Sequence, residues 1–407
     1  MSEQQQGQDE QQPMDRPFDG VRVLELAEGI SGPYASRWLA ALGADVVKVE
    51  RTTGDPSRAF GPWPDDLPSD ETSGLFLYLN GDKRSVTLNL ETSDGREILR
   101  ELAQSAEIVI ESFDPGYLAS HHLGYSELSA GNDALVMISI TPFGQTGPNA
   151  NLPATELTLY AASGQMWLTG HPERHPLKNG GSQPSYQAGL NAFAAITGAY
   201  YGAVMHGQGS YIDLSVQETY AGMAEAFHTR ASQLGIESQR SGNNLNALWG
   251  VYEVADGYGG ICALPRNYPA FAQAVGLEEL QDERFSDPGQ RLLNNDELMA
   301  IMYSWFAGQT RQGLLELGIE HRVPFGFVAT VEDLTNSEHL QSRDFFATLD
   351  HADAGSLTYP GRLWLSSGHD WKMGRAPRLG EHNMEVIHGE LGYEREDLVR
   401  LRELDAI

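Results

Sequence analysis

A chain of 407 residues, 41% hydrophobic and 9% aromatic, can bury a large core and reads as one big or two ordinary domains. Its formal charge of −29 argues against a nucleic-acid partner, because neutralising phosphates takes a basic surface. No apolar run approaches the ~20 residues that span a bilayer, and the single cysteine, Cys262, excludes an internal disulfide and fits a reducing cytoplasm. Residues 1–16 are polar and Gln-rich, lack the apolar segment of a signal peptide, and read as a solvated tail.

Residues 19–51 have a β-α-β pattern: VRVLEL as a strand, helical apolar spacing from Tyr34 to Leu42, and ADVVKVE as a second strand. The connecting turn, Glu28 to Gly32, closes on Pro33 at a first-turn helical position. The dinucleotide fingerprint G-x-G-x-x-G is absent, so a nicotinamide cofactor is not supported. Beyond the Asn80-Gly81-Asp82 turn, Lys83 and Arg84 precede a period-2 strand over Ser85–Leu90. Two adjacent basic residues there are either simply solvated or aimed at an anion. An amphipathic helix is predicted over Glu91–Glu107, with Ile98, Leu99, Leu102 and Ala106 on one face. AEIVIESF, containing Ser112, and Leu135–Ile140 read as buried strands.

From Ser139 the pattern is strand, irregular loop, helix. Gly144, Gly147, Pro148 and Pro153 hold the loop open, and the helix begins near Thr155 with Glu156 in its first turn. A carboxylate there sits in the field of unpaired helix N–H groups. It serves either as an ordinary first-turn acid behind a Thr155 cap, worth about 0.3–1 kcal/mol, or as a presented reactive group. His171 and His175 lie in a polar loop, 171–189, without a carboxylate or thiol at ligand spacing, so no metal site is read. A long helix from about Leu190 to Met205 follows, then a strand and helix in GQGSYIDLSVQETY. Composition turns polar over Gln233–Asn246. The domains are accordingly placed at 17–225 (large), 226–334 (small, with linkers) and 335–407 (a return to the large domain). WGVYEVADGYGGICAL reads as a hairpin turning at Asp256-Gly257.

Several segments resemble the class III CoA-transferases, the CaiB/BaiF type that includes carnitine and formyl-CoA transferases and α-methylacyl-CoA racemases. They are the Gly-Pro turn followed by LGADVVKVE, the N-x-x-K-R-S segment from Asn80, FGQTGP with an acid and Ala-x-Ser-Gly beyond it, G-x-G-x-x-I-D-L-S-x-x-E, and the closing APRLGEHN. The likeness covers roughly residues 17–393. It implies a Rossmann-like parallel-sheet large domain, a small α+β domain and an interlocked homodimer. It also implies coenzyme A or acyl-CoA as substrate, with no metal, and a carboxylic acid as acceptor. By position, Ile30, Ser31, Arg51 and Lys83 lie against CoA, Ser112 stands where the family often has asparagine, and Glu156 takes the place of the usual nucleophilic aspartate. The activity implied is CoA transfer through an anhydride and thioester on Glu156. The alternatives are an acyl-CoA racemase, whose His-Asp motif is here Thr155-Glu156, and a catalytically weak CoA binder or a subunit whose partner holds the reactive site. Tyr160, Trp167, Tyr186 and Trp249 are candidates for an acyl pocket or plain core.

Overall fold

The protein is described by a computed structural model covering residues 16–407; the expected tail falls outside that range save for its last residue. The chain forms two compact units. The first takes the residues up to Gln165, Gly180–Glu225 and Ser342–Ile407; the second takes Met166–Asn179 and Ala226–Gln341.

The first unit is built on β1 (Arg22–Glu25), α1 (Ser31–Ala41), β2 (Asp45–Glu50), α2 (Gly74–Leu79), β3 (Arg84–Thr87), α3 (Ser93–Gln104), β4 (Ile108–Glu111), β5 (Val136–Thr141), α4 (Glu156–Ala162), α5 (Gln183–His206), β6 (Ser210–Ser215) and α6 (Val216–Ala221). Its six strands lie in the order β3-β2-β1-β4-β5-β6 and every pair is parallel. The strands read as nearly continuous apolar runs because both faces are covered. Leu24, Val47, Val109 and Met137 face one core, shared with Ile98, Leu99 and Leu102 of α3. Val23, Val46, Ile110 and Ile138 face the other, shared with Ala35 and Leu39 of α1 and Ala188, Ala192 and Ile196 of α5. Leu398 and Leu401 of the C-terminal helix Arg395–Glu403 join the first core.

Helices α1 and α5 cross closely at Gly189. A Cβ there would lie 2.6 Å from the Ser31 carbonyl oxygen and 3.0 Å from the Tyr34 Cβ, so only glycine allows the approach. Helix α5 starts seven residues before the expected Leu190. Pro184 sits in its first turn, where no N–H is needed, and Gly207 ends it in the left-handed region at φ 67°. The antiparallel pair Phe346–His351 and Gly355–Pro360 was not legible as strands.

The second unit carries an antiparallel sheet, β10-β9-β8-β7, made of β7 (Asn244–Asn246), β8 (Trp249–Val254), β9 (Gly257–Cys262) and β10 (Phe325–Phe327). Helices α7 (Pro288–Leu293) and α8 (Asn295–Ala307) belong to the same unit. Tyr252 stacks on Phe306 with ring centroids 4.3 Å apart, inside a core that includes Phe271, Phe285, Leu298 and Met302.

Candidate active site

In a sheet of this order successive strands are added in one direction up to β3 and in the other from β4, so the loops leaving β1 and β4 part to open a crevice. The turn after β1 and the turn after β4 meet there: the Glu28 N–H donates to Ser112 Oγ at 2.9 Å. Gly29, at φ 76°, supplies the left-handed residue of the first turn, and its N–H donates to Asp55 Oδ1 at 3.2 Å. Ile30 then caps α1 without a side-chain bond, and Ser31 is the first helical residue. Arg51, at the end of β2, reaches Glu28 at 2.6 Å while remaining 59% exposed. A cleft of about 180 Å³ lies beside this pair, lined by Glu28, Arg51, Asn89, Glu91, Phe113 and Tyr117 among others. The rings of Phe113 and Tyr117 pack 4.7 Å apart and form its aromatic wall.

Lys83 has other surroundings. Its side chain is wholly buried, with Nζ 2.8 Å from Glu25, 2.8 Å from Asn80 Oδ1 and 3.0 Å from the Pro33 carbonyl. Glu25 also takes Lys48 at 3.0 Å and the Ser36 hydroxyl at 2.6 Å, and Lys48 pairs with Asp55 at 2.8 Å. Burial pushes the Lys83 ammonium down to about 8, against the pull of Glu25, and the nearby Lys48 charge adds to the lowering. Burial also works against the Glu25 charge, but the two lysines outweigh it and hold the carboxyl below its usual range. A second buried pair, Arg58 with Glu50 at 2.7 Å, stands beside the first. This charged layer carries the crevice turn from beneath, through Asp55 on Gly29 and Lys83 on Pro33.

Glu156 opens α4. Thr155 caps the helix: its hydroxyl accepts the Thr158 N–H, and the Thr158 hydroxyl accepts the Thr155 N–H at 2.7 Å. The Glu156 carboxylate is half-buried. Its Oε1 accepts the Ser185 hydroxyl of α5, and its Oε2 is buried with no hydrogen-bond partner. The next residue, Tyr186, sets its ring edge-on against Tyr34 of α1 at 4.9 Å and 86°. Burial, reinforced by Tyr78 and the Glu156 charge, raises the Tyr186 phenol to about 12. Arg37 lies over the rings of Trp38 and Tyr78, at 4.5 and 4.4 Å. A continuous set of contacts therefore runs from the crevice turn along α1 to Tyr34, across to Tyr186 and Ser185, and on to Glu156.

Of the residues singled out in the sequence, Ile30, Ser31, Arg51 and Ser112 come together at the crevice. Lys83 lies under α1 instead of lining the cleft. Glu156 sits on the α5 side of α1. Ser185, Tyr34 and Asp55 were not singled out: each is an ordinary residue by local pattern, and only the α1–α5 and β1–β2 contacts give it a role. Tyr160, one of the pocket candidates, is buried and packs on Tyr220 at 5.4 Å. Among the described residues no group of three or more His, Cys, Asp or Glu side chains is placed to hold a metal. No described helix is long and apolar enough to cross a membrane.

The fold has a close counterpart among solved structures. A CaiB/BaiF family protein from Brucella suis matches with a TM-score of 0.82 and 30% identity, over 93% of this chain and all of that one. The pattern of CoA-transferase family III fits residues 18–383, and the chain belongs to that family. Relatives extend over nearly the whole length. The chain is 32% identical to the BbsE subunit of succinyl-CoA:(R)-benzylsuccinate CoA-transferase from Thauera aromatica, covering 97% of this chain and 99% of that one. It is 32% identical to succinyl-CoA:mesaconate CoA-transferase from Haloarcula marismortui, over 91% and 95%. It is 30% identical to formyl-CoA:oxalate CoA-transferase from Streptomyces avermitilis, over 96% and 99%.

Proposed function

We propose that this chain moves CoA between an acyl-CoA thioester and a free carboxylic acid, with Glu156 as the nucleophile. One observation carries the reading: in a family III chain, a half-buried carboxylate is held by Ser185 through one oxygen while the other is buried without a partner. That free oxygen attacks the thioester carbonyl, the C–S bond breaks, and an acyl-glutamyl anhydride forms with release of CoA thiolate. The thiolate then attacks the glutamyl carbonyl, giving a Glu156–CoA thioester and freeing the donor acid. The acceptor carboxylate attacks that thioester, and the returning thiolate takes the new acyl group and restores Glu156. The cycle needs neither a metal nor a nicotinamide.

CoA lies along the crevice. Its nucleotide end takes the cleft beside Phe113 and Tyr117, with Arg51 on a phosphate and the turn at Ile30, Ser31 and Ser112 along the chain. Three carboxylates, Glu28, Glu50 and Glu91, also line that cleft, so Arg51 must leave Glu28 to serve a phosphate. An exposed ion pair is worth only ~0–1 kcal/mol, so the exchange is easy. Lys83 supports the turn from below. The protein is a cytoplasmic homodimer on this reading. Helix α5 supports the pairing, since Leu190, Tyr201, Val204 and Met205 expose 44–67% of their surface on a helix rich in apolar residues beyond its first turn.

The test is to incubate the protein with acyl-CoA, trap with hydroxylamine or borohydride, and analyse the peptide carrying Glu156 by mass spectrometry. A modified Glu156 is expected, and Glu156→Gln should abolish exchange while leaving CoA affinity nearly intact. Normal turnover by Glu156→Gln overturns the assignment. Deuterium incorporation from heavy water without exchange would point to a racemase. A second reading, that the chain is one subunit of a mixed transferase, is favoured by the relative named as subunit BbsE. It predicts that trapping fails on the isolated chain and that activity returns only with a partner protein.

A further inference from the structure

The second unit holds a cavity that the chemistry above does not use. It is a space of about 130 Å³ between the β7–β8 turn and helices α7 and α8. Arg291 lines it, 8% exposed, with Nη1 buried and without a hydrogen-bond partner. The guanidinium lies over the Tyr268 ring at 4.0 Å and also interacts with the Tyr268 hydroxyl, so it is Nη1 that remains for another group. Among the described residues no carboxylate stands at ion-pair distance from it. Asp287, the acid whose charge acts on it, is engaged in capping α7 through the Gln290 N–H at 2.8 Å.

The remaining polar side chains of the lining are two amides, Asn246 and Asn295, whose oxygens are already engaged. Asn246 Oδ1 accepts the Leu248 N–H and Asn295 Oδ1 accepts the Ala247 N–H, each at 2.9 Å. Their NH₂ groups have no acceptor among the described residues. The other walls are apolar, with Leu292, Leu298 and Pro288 among them. A buried guanidinium with an unmade hydrogen bond is costly unless an acceptor fills it. A lining whose free polar side-chain groups are donors, set among apolar side chains, matches an anion that carries an apolar body. We infer that this cavity binds a short-chain organic carboxylate, with its oxygens on Arg291 and the two amides and its chain against Leu292 and Leu298. The inference does not depend on the role of Glu156.

Butyrate is a suitable probe, titrated calorimetrically into the full-length protein at constant ionic strength, with sulfate and chloride as controls. Millimolar binding is expected, at least tenfold tighter than sulfate, and Arg291→Leu should weaken it at least tenfold. Because Arg291 is buried and its loss can disturb the fold, Leu292→Trp serves as the second variant. Leu292 is 69% exposed, so the larger ring should occupy the cavity without stressing the core and should abolish this binding while the thermal melt stays cooperative. Butyrate binding unchanged in Leu292→Trp would overturn the proposal, and so would sulfate binding as tightly as butyrate.

Discussion

Shortening Glu156 to aspartate tests whether the site is built around glutamate. The substitution withdraws the carboxylate by roughly 1 Å, and a displacement of that size costs about 100-fold in rate when the reacting atoms were aligned. The carboxylate is anchored in its present place: Oε1 is bonded to Ser185 on α5, and α5 is pinned to α1 through the Gly189 contact and the Tyr186–Tyr34 pair. Neither helix can follow a shorter side chain by 1 Å without repacking the core they share. Aspartate therefore loses the Ser185 bond as well, an interaction with a charged acceptor worth ~1.5–3 kcal/mol. The expected result for Glu156→Asp is a fall of about 100-fold in thioester exchange with little change in CoA affinity. The assay is chromatographic separation of the two acyl-CoA species over time. Unchanged or higher exchange in Glu156→Asp would refute the argument, because it would mean that the Ser185 anchor does not set the reactive position.

Arg51→Ala should weaken CoA binding about fivefold at low salt, the ~1 kcal/mol of a contact pair in water, and the difference should shrink as salt is raised. Lys83→Met should act mainly on stability: removing one member of a buried charge cluster costs about 3–5 kcal/mol, read as a lower midpoint in denaturant. If Lys83→Met melts like the parent and only CoA binding falls, the buried placement of Lys83 is wrong. Glu111, 4% exposed at the end of β4, has its carboxyl raised from 4.5 to about 7 by burial, although the Ser139 hydroxyl and the Phe113 N–H bond to it. The folded protein holds that proton longer than the unfolded chain, so its stability should fall as pH rises from about 4.5 through 7. The loss amounts to ~3 kcal/mol. Glu111→Gln should flatten this dependence in thermal melts at pH 5 and pH 8, and an equally steep decline in the variant would exclude Glu111 as its source.

The parallel core was legible because its signal is local. Runs such as VRVLEL and AEIVIESF, separated by helical spacing and Gly-Pro turns, specify buried strands and crossover helices without knowledge of their neighbours. Thr155 as a cap and Glu156 as the first helical residue were equally readable, since capping is chemistry within four residues. Family membership was legible too, because its motifs are short and ordered along the chain.

What the tertiary structure alone decided is which side chains meet. A basic residue at a strand end reads the same whether it is buried or exposed, and only the placement of β3 beside β2 and β1 turns Lys83 inward onto Glu25, while Arg51, just after β2, stays 59% exposed. Ser185 carries no local signal at all; it becomes the partner of Glu156 because Gly189 lets α5 lie directly on α1. The length of α5 escaped a reading of apolar spacing because its first turn is polar, Gln183 to Gln187, and is held by packing and by Pro184. Periodicity records which face of an element is buried. The groups buried opposite one another depend on crossings between segments far apart in the chain, and the candidate site around Glu156 is assembled from those crossings.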